Sequence, residues 1–167
     1  MTGAGARTRN KLPKQDADNA SRRYPPRPLV GVGALIFRRA SVLLVERGKE
    51  PLKGFWSLPG GLVETGELLA AAVEREVVEE TSLVVKAAYL AEIFERIMRD
   101  AAGSVEYHYV LADYVCMARG GELQAAGDAA DARWHPVAKL RQLRLTEGTR
   151  EVIERTYAEY KRRRARV

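Results

Sequence analysis

The sequence predicts an α/β fold, with mixed strands forming a sheet covered by helices on both sides. Three observations predict it. Residues 29–37 (LVGVGALIF) and 105–117 (VEYHYVLADYVCM) are long apolar runs of strand character, bounded by turn signals. Between them Leu68, Leu69, Ala72, Val73 and Val77 recur at helical spacing, with no Pro or Gly across residues 67–82. Near the end, Val152, Ile153, Thr156, Tyr157 and Tyr160 form a second helical stripe. A chain of 167 residues is long enough for one such layered domain with a substantial core.

In chain order, residues 1–23 are small, polar and scattered in charge, and read as a disordered basic N-terminal tail. Tyr24-Pro25-Pro26-Arg27-Pro28 is a stiff, extended lead-in to the domain, which is expected to span residues 24–160. Residues 29–37 form a buried strand in which Gly31 and Gly33 permit close backbone approach. These two glycines lack the third Gly and the following helix of a dinucleotide fingerprint, so that reading is discarded. Residues 38–41 turn, and residues 42–46 return as a hairpin-like second strand. A loop over residues 47–55 carries Gly48, Pro51 and Gly54, and residues 56–61 (WSLPGG) deliver the chain to the first helix.

Beyond that helix, residues 84–99 read as one long strand or two broken ones, and Asp100-Ala101-Ala102-Gly103 is a turn. Residues 105–117 are the clearest strand, and Arg119-Gly120-Gly121 turns the chain. A loop over residues 125–131 precedes a short strand at 132–135, and Pro136 starts a short helix to about Leu143. Thr146 is the expected N-cap of a last helix over residues 147–162, and residues 161–167 form a basic C-terminal tail.

Apolar content of 46% and charged content of 30% are those of a globular chain. No apolar run reaches membrane-spanning length and no signal-peptide core is evident, so no membrane partner and a cytoplasmic location are expected. Cys116 is the single cysteine and lies in an apolar strand, which favours a buried thiol over a reactive one. The net charge of +6 is unevenly spread. Residues 1–28 hold seven Lys/Arg against two Asp, residues 161–167 hold five Lys/Arg and no acid, and the stretch between carries a net −4. An acidic body with basic ends reads as solvated tails, and nucleic acid is not the expected partner.

The chemistry concentrates in residues 75–80, Arg75-Glu76-Val77-Val78-Glu79-Glu80. Glu76, Glu79 and Glu80 stand at i, i+3 and i+4, on one helix face, close enough for their carboxylates to converge. Such pairs repel by a few tenths of a kcal/mol each. Arg75 is the nearest cation in the helix, and the all-oxygen set suits a hard divalent ion such as Mg²⁺ or Mn²⁺.

Gly61, Glu67, Arg75-Glu76-Val77, Glu79-Glu80 and Leu83, in that order and spacing, resemble the box that defines the Nudix hydrolase family. The stretch departs from that box at Ser82, where the family usually has Gly, and at Leu68, where many members carry a Thr or Ser helix cap. The resemblance runs from about Pro28 to about Leu143 and implies a Nudix-like α/β/α sandwich with a mixed β-sheet between helices. It implies that Glu76, Glu79 and Glu80 are metal ligands, with the Gly60 carbonyl beside them. It further implies Glu76 as a general base, Arg75 as the residue that orients the cluster, and Glu67 as a brace for the loop before the helix. A later loop often supplies a further ligand in this family. Asp128 fits that place, with Asp131 and Glu122 as competitors.

Candidate substrate-binding residues are Arg27, Arg47, Phe55 and Glu106. His108, on the strand face of Glu106, and the aromatics Trp56, Tyr107 and Tyr109 have the alternative of a structural role. The implied substrate is a nucleoside diphosphate linked to a second moiety. ADP-ribose, yielding AMP and ribose 5-phosphate, is preferred to a house-cleaning role on oxidised nucleoside triphosphates. A nucleotide-sensing module without catalysis and action on RNA ends are the remaining readings, and a homodimer is expected by analogy.

Overall fold

A computed structural model describes residues 22–50 and 52–166; the expected N-terminal tail up to residue 21, Pro51 and Val167 lie outside the described residues. The strands are β1 (Leu29–Arg38), β2 (Ser41–Arg47), β3 (Trp56–Ser57), β4 (Gly60–Leu62), β5 (Leu83–Arg99), β6 (Val105–Gly121) and β7 (Ala129–Pro136). Helix α1 (Leu69–Thr81) follows β4, a 3-10 helix (Val137–Gln142) follows β7, and helix α2 (Thr149–Arg164) comes last.

The sheet is mixed. Its path runs β3-β2-β1-β6-β5, with β4 added to β1 and β7 to β2. β1 and β6 pair in parallel over eight residues, while β5 and β6 form a long antiparallel hairpin. The expected hairpin of β1 and β2 is present only at its tip, where Phe37 faces Val42 and Arg38 faces Ser41. β2 then turns away to pair with β7 along its length, and the first half of β1 takes β4 instead. This divergence opens the molecule beside β1.

Alternation along β1 divides the core, because successive side chains point to opposite faces. Val32, Ala34 and Ile36 pack with Ala72, Val73 and Val77 of α1. Leu35 packs on the other face with Val152, Ile153 and Tyr160 of α2. The expected layers of helix, sheet and helix are therefore formed. Each fully buried Leu, Ile or Val contributes about 1.5–3 kcal/mol. Cys116 is buried in the α1-side core, and burial pushes its thiol up to about 12.

Several expected boundaries shift, for physical reasons. Residues 83–99 form one strand, because β6 pairs with it throughout and absorbs the irregularities as register shifts. Gly120 and Gly121 extend β6 instead of turning it, since they still pair with Val84 and Leu83. Thr146 is not the N-cap of α2. That place belongs to Gly148 at φ 76°, while the buried Thr146 hydroxyl shares a 2.6 Å hydrogen bond with that of Thr149. The lead-in is docked rather than simply extended. Tyr24 has φ 52°, its N–H donates to the Glu106 carbonyl at 2.7 Å, and its hydroxyl donates to Asp100 at 2.9 Å. Residues 161–164, expected as tail, continue α2. Among the described residues no helix is long and apolar enough to cross a membrane.

Candidate active site

Helix α1 presents its acidic end to the β4 strand, and glycine makes the meeting possible. A Cβ on Gly61 would stand 2.5 Å from the Glu76 carboxyl carbon. A Cβ on Gly60, at φ 156°, would run into the Val32 carbonyl. The Gly60 N–H donates to Glu80 Oε2 at 3.0 Å, fixing the last carboxylate of the cluster on the start of β4.

Arg75 organises the other acids. Its Nε and Nη2 donate to the two Glu67 oxygens, both at 2.9 Å. Its Nη1 donates to Glu76 at 2.8 Å and to Glu79 at 3.3 Å, and Nη2 also reaches the Leu62 carbonyl at 3.2 Å. Glu67 in turn accepts from the Glu64 N–H at 3.1 Å, tying the loop before α1 to its first turns.

The expected convergence of three carboxylates is corrected by this geometry. Among the described residues no cluster of three metal-ligating side chains is assembled. Mutual repulsion separates the acids: Arg75 draws Glu76 and Glu79 to itself, and Glu80 turns to Gly60. Burial, opposed by Arg75, raises Glu76 above the ordinary carboxylate range. Burial pushes Glu80 up to about 8, with the Gly60 N–H opposing and Glu76 adding to the shift. Acids held above their usual range by burial and by one another are receptive to an external cation. The donor set is oxygen only, which fits a hard divalent ion.

Ser82 ends α1 in the left-handed conformation, φ 58° and ψ 7°, with its N–H donating to the Val78 carbonyl. The helix end keeps its geometry although Ser stands where Gly is easiest.

An open cavity of about 170 Å³ adjoins the acidic cluster. Gly60, Gly61, Glu80, Asp128, Arg47 and Lys49 line it. Asp113, Arg96, Phe94, Thr146 and Thr149 line it as well. Gly33 also lines it, and the Asp113 carboxylate takes the room a Cβ there would need. Asp128, paired with Lys49 at 2.5 Å, reaches the cavity beside Glu80.

Of the four candidate substrate-binding residues, the structure brings only Arg47 to this cavity. Arg27 is exposed in the lead-in and does not line it. Phe55 lies outside it, with the Arg144 guanidinium 4.6 Å above its ring. Glu106 also lies outside, bound to Arg23 Nε at 2.7 Å. The sheet is the reason these three stand away from the cavity: β5 and β6 carry Glu106 to the far end of the hairpin, while the β3 edge turns Phe55 to Arg144. His108 and Tyr107 do not line the cavity, whereas Tyr109 does. Trp56 is a packing residue, edge-on to His135 at 4.5 Å. Asp131 pairs with Arg133 and lies off the cavity.

Sequence reading missed Asp113 and Arg96. A signal for Asp113 was present, a lone acid in the apolar run Val110-Leu111-Ala112-Asp113-Tyr114-Val115.

Known proteins with similar sequence and structure share this frame. The family model described as NUDIX domain matches residues 27–156. An ADP-ribose pyrophosphatase of Methanocaldococcus jannaschii is 37% identical over 116 residues, which are 70% of this chain and 66% of that protein. An 8-oxo-dGDP phosphatase of Mus musculus is 31% identical over 103 residues, spanning 59% of this chain and 29% of its own length. The crystal structure of a MutT NUDIX hydrolase from Burkholderia pseudomallei superposes with a TM-score of 0.67 at 35% identity, covering 77% of this chain and 97% of that one.

Proposed function

Since this chain belongs to the Nudix hydrolase family, we propose that it is a divalent-metal-dependent pyrophosphohydrolase that cuts ADP-ribose into AMP and ribose 5-phosphate. One observation carries the reading: the acidic end of α1 meets Gly60 and Gly61 of β4 beside a cavity that also holds Arg47 and Lys49. Anionic groups of the helix and cationic groups of the loops thus face the same space, as a diphosphate and its counter-ions require.

Glu76, Glu79, Glu80 and the Gly60 carbonyl are the groups that would hold Mg²⁺ or Mn²⁺, with Asp128 beside them. Such an ion neutralises phosphate charge and lowers the pKa of water. The protein's own residues do the rest. Arg47 and Lys49 draw the diphosphate into the cavity by charge. Arg75, locked on Glu67, keeps Glu76 aimed at Gly61 of β4. Glu76 takes the proton of the attacking water as its oxygen bonds to phosphorus and the P–O–P bridge breaks, leaving two phosphomonoesters. Burial raises the Glu76 carboxylate above its ordinary range, which makes it a stronger base for that proton.

The preference for ADP-ribose rests on similarity to the archaeal pyrophosphatase. Similarity to the mouse phosphatase favours a second reading, hydrolysis of oxidised nucleoside phosphates. Purified protein with Mg²⁺ or Mn²⁺ is assayed against ADP-ribose, 8-oxo-dGDP and nucleoside triphosphates, with products resolved by chromatography. AMP and ribose 5-phosphate are expected as the fastest-formed pair. Faster turnover of an oxidised nucleotide would replace the first reading with the second, and no metal-dependent turnover of any of them would refute both.

A further inference from the structure

The cavity also holds a nearly buried carboxylate, that of Asp113, and a buried guanidinium N–H without a hydrogen-bond partner, Arg96 Nε. Asp113 is 4% exposed and lines the cavity, and its carboxylate accepts no hydrogen bond from the described residues. Its carboxylate lies over Gly33, where a Cβ would collide with Asp113 Oδ1, so the sequence keeps open the place this side chain occupies. Arg96, on the neighbouring strand β5, also lines the cavity, and its Nε is buried with no partner.

The rest of Arg96 is held firmly. Its Nη2 donates to the Glu147 carbonyl at 2.7 Å and to Thr146 Oγ1 at 3.3 Å. Glu92, opposite Asp113 in the β5–β6 register, is turned to Arg155 by hydrogen bonds of 2.8 and 3.1 Å. Neither residue therefore satisfies Asp113. A guanidinium N–H left unsatisfied in a native fold, beside a carboxylate with no donor of its own, calls for a partner that the fold itself does not supply. Beside them, Phe94 offers an apolar ring, and Thr146 and Thr149 offer hydroxyls.

We infer that Asp113 and Arg96 form a specificity-determining anchor for the uncharged part of the substrate, reading an edge that presents a hydrogen-bond donor beside an acceptor. Asp113 accepts from the donor, and Arg96 Nε donates to the acceptor. The Asp113 carboxylate disfavours an anionic phosphate directly beside it, so the anchor suits an uncharged group. Two parts of a nucleoside diphosphate sugar carry such an edge: the nucleobase, through N–H beside a ring nitrogen or carbonyl, and the terminal sugar, through its hydroxyls. The inference rests on the reading of the cavity as a nucleotide site, and it names the residues that choose among nucleotides.

The test uses the full chain and its Asp113→Asn and Asp113→Leu variants. KM and kcat are measured for ADP-ribose, 8-oxo-dGDP and a simple alkyl diphosphate with neither base nor sugar. Separately, AMP and ribose 5-phosphate are titrated into each protein by calorimetry. The variants are expected to raise KM about 10- to 100-fold for the substrate carrying the recognised edge, with kcat changed less than about threefold and the alkyl diphosphate unaffected. Weakened AMP binding assigns the edge to the base, and weakened ribose 5-phosphate binding assigns it to the sugar. Equal losses on all three substrates, or unchanged KM on all of them, overturn the inference while leaving the hydrolase reading intact. If the wild type hydrolyses nothing, the hydrolase reading fails and the titrations alone decide the anchor. Binding of either fragment that weakens in the variants supports it, and wild-type protein that binds neither, or binding that the variants leave unchanged, overturns it.

Discussion

Arg75 grips Glu67 with a two-pronged hydrogen bond, Nε to Oε1 and Nη2 to Oε2, each 2.9 Å long, across eight residues of chain. The remaining guanidinium nitrogen is thereby aimed at Glu76. The pair joins the loop before α1 to the acidic face of the helix, so the orientation of the site depends on a fork-shaped cation.

Arg75→Lys should therefore damage both stability and turnover. A lysine is a point charge that cannot hold two Glu67 oxygens and Glu76 together. A loss of about 1–2 kcal/mol in denaturant melts is expected, with kcat falling more than KM rises. A double-mutant cycle with Glu67→Gln checks the source. Additive losses would show that the two residues act separately.

Glu80→Gln should leave the fold intact and abolish most turnover. Burial pushes Glu80 up to about 8, so without a cation its carboxyl holds a proton near neutral pH. Glutamine resembles that form and still accepts from the Gly60 N–H. Loss of the charge that grips a metal should cut kcat on the order of 10²–10³-fold, with an unchanged melting temperature. In the wild type, metal binding should tighten as pH rises toward 8 and release on the order of one proton, read from calorimetry in buffers of different ionisation enthalpy. Metal binding without proton release, or an active Gln variant, would contradict the assignment.

Asp113→Asn should stabilise the protein at neutral pH. Burial, with Glu92 adding to it, pushes Asp113 up to about 6 from an ordinary 3.8. Between those values the folded state binds a proton that the unfolded chain has released, so wild-type stability falls as pH rises through the window. The cost is complete above about pH 6 and absent below about pH 4. The variant should thus gain on the order of 2 kcal/mol at pH 8 and little at pH 4. An equal gain at both pH values would show that the effect is not the buried charge.

Ser82→Gly should raise stability by about 0.5–1 kcal/mol, because Ser82 holds φ 58° where a Cβ is strained and glycine is not. The midpoint of a denaturant melt should move without a change of slope. A lowered midpoint would mean that the serine side chain contributes a contact outweighing the strain.

Elements with strong periodicity were legible from residues alone. The stripe from Leu69 to Val77 predicts α1, and the apolar runs predict β1 and β6, because burial acts on side chains whose spacing is written in the chain. The acidic cluster and Arg75 were legible for the same reason, since i, i+3 and i+4 define one helix face. That Arg27, Phe55 and Glu106, substrate-binding candidates from the sequence, stand away from the cavity was not legible. Their position depends on where the β3 edge and the tip of the β5–β6 hairpin lie relative to β1, which no local pattern records.

The sequence by itself determined the layers, the helix that carries the carboxylates, and the glycines at 31, 33, 60 and 61. Each of these follows from short-range sterics or from the period of a helix or strand. Only the tertiary structure decided that β2 leaves β1 after two residue pairs and that Asp113 and Arg96, from neighbouring strands, line one cavity. Those outcomes depend on contacts between residues far apart in the chain, and the energies that select them arise only once the strands are paired.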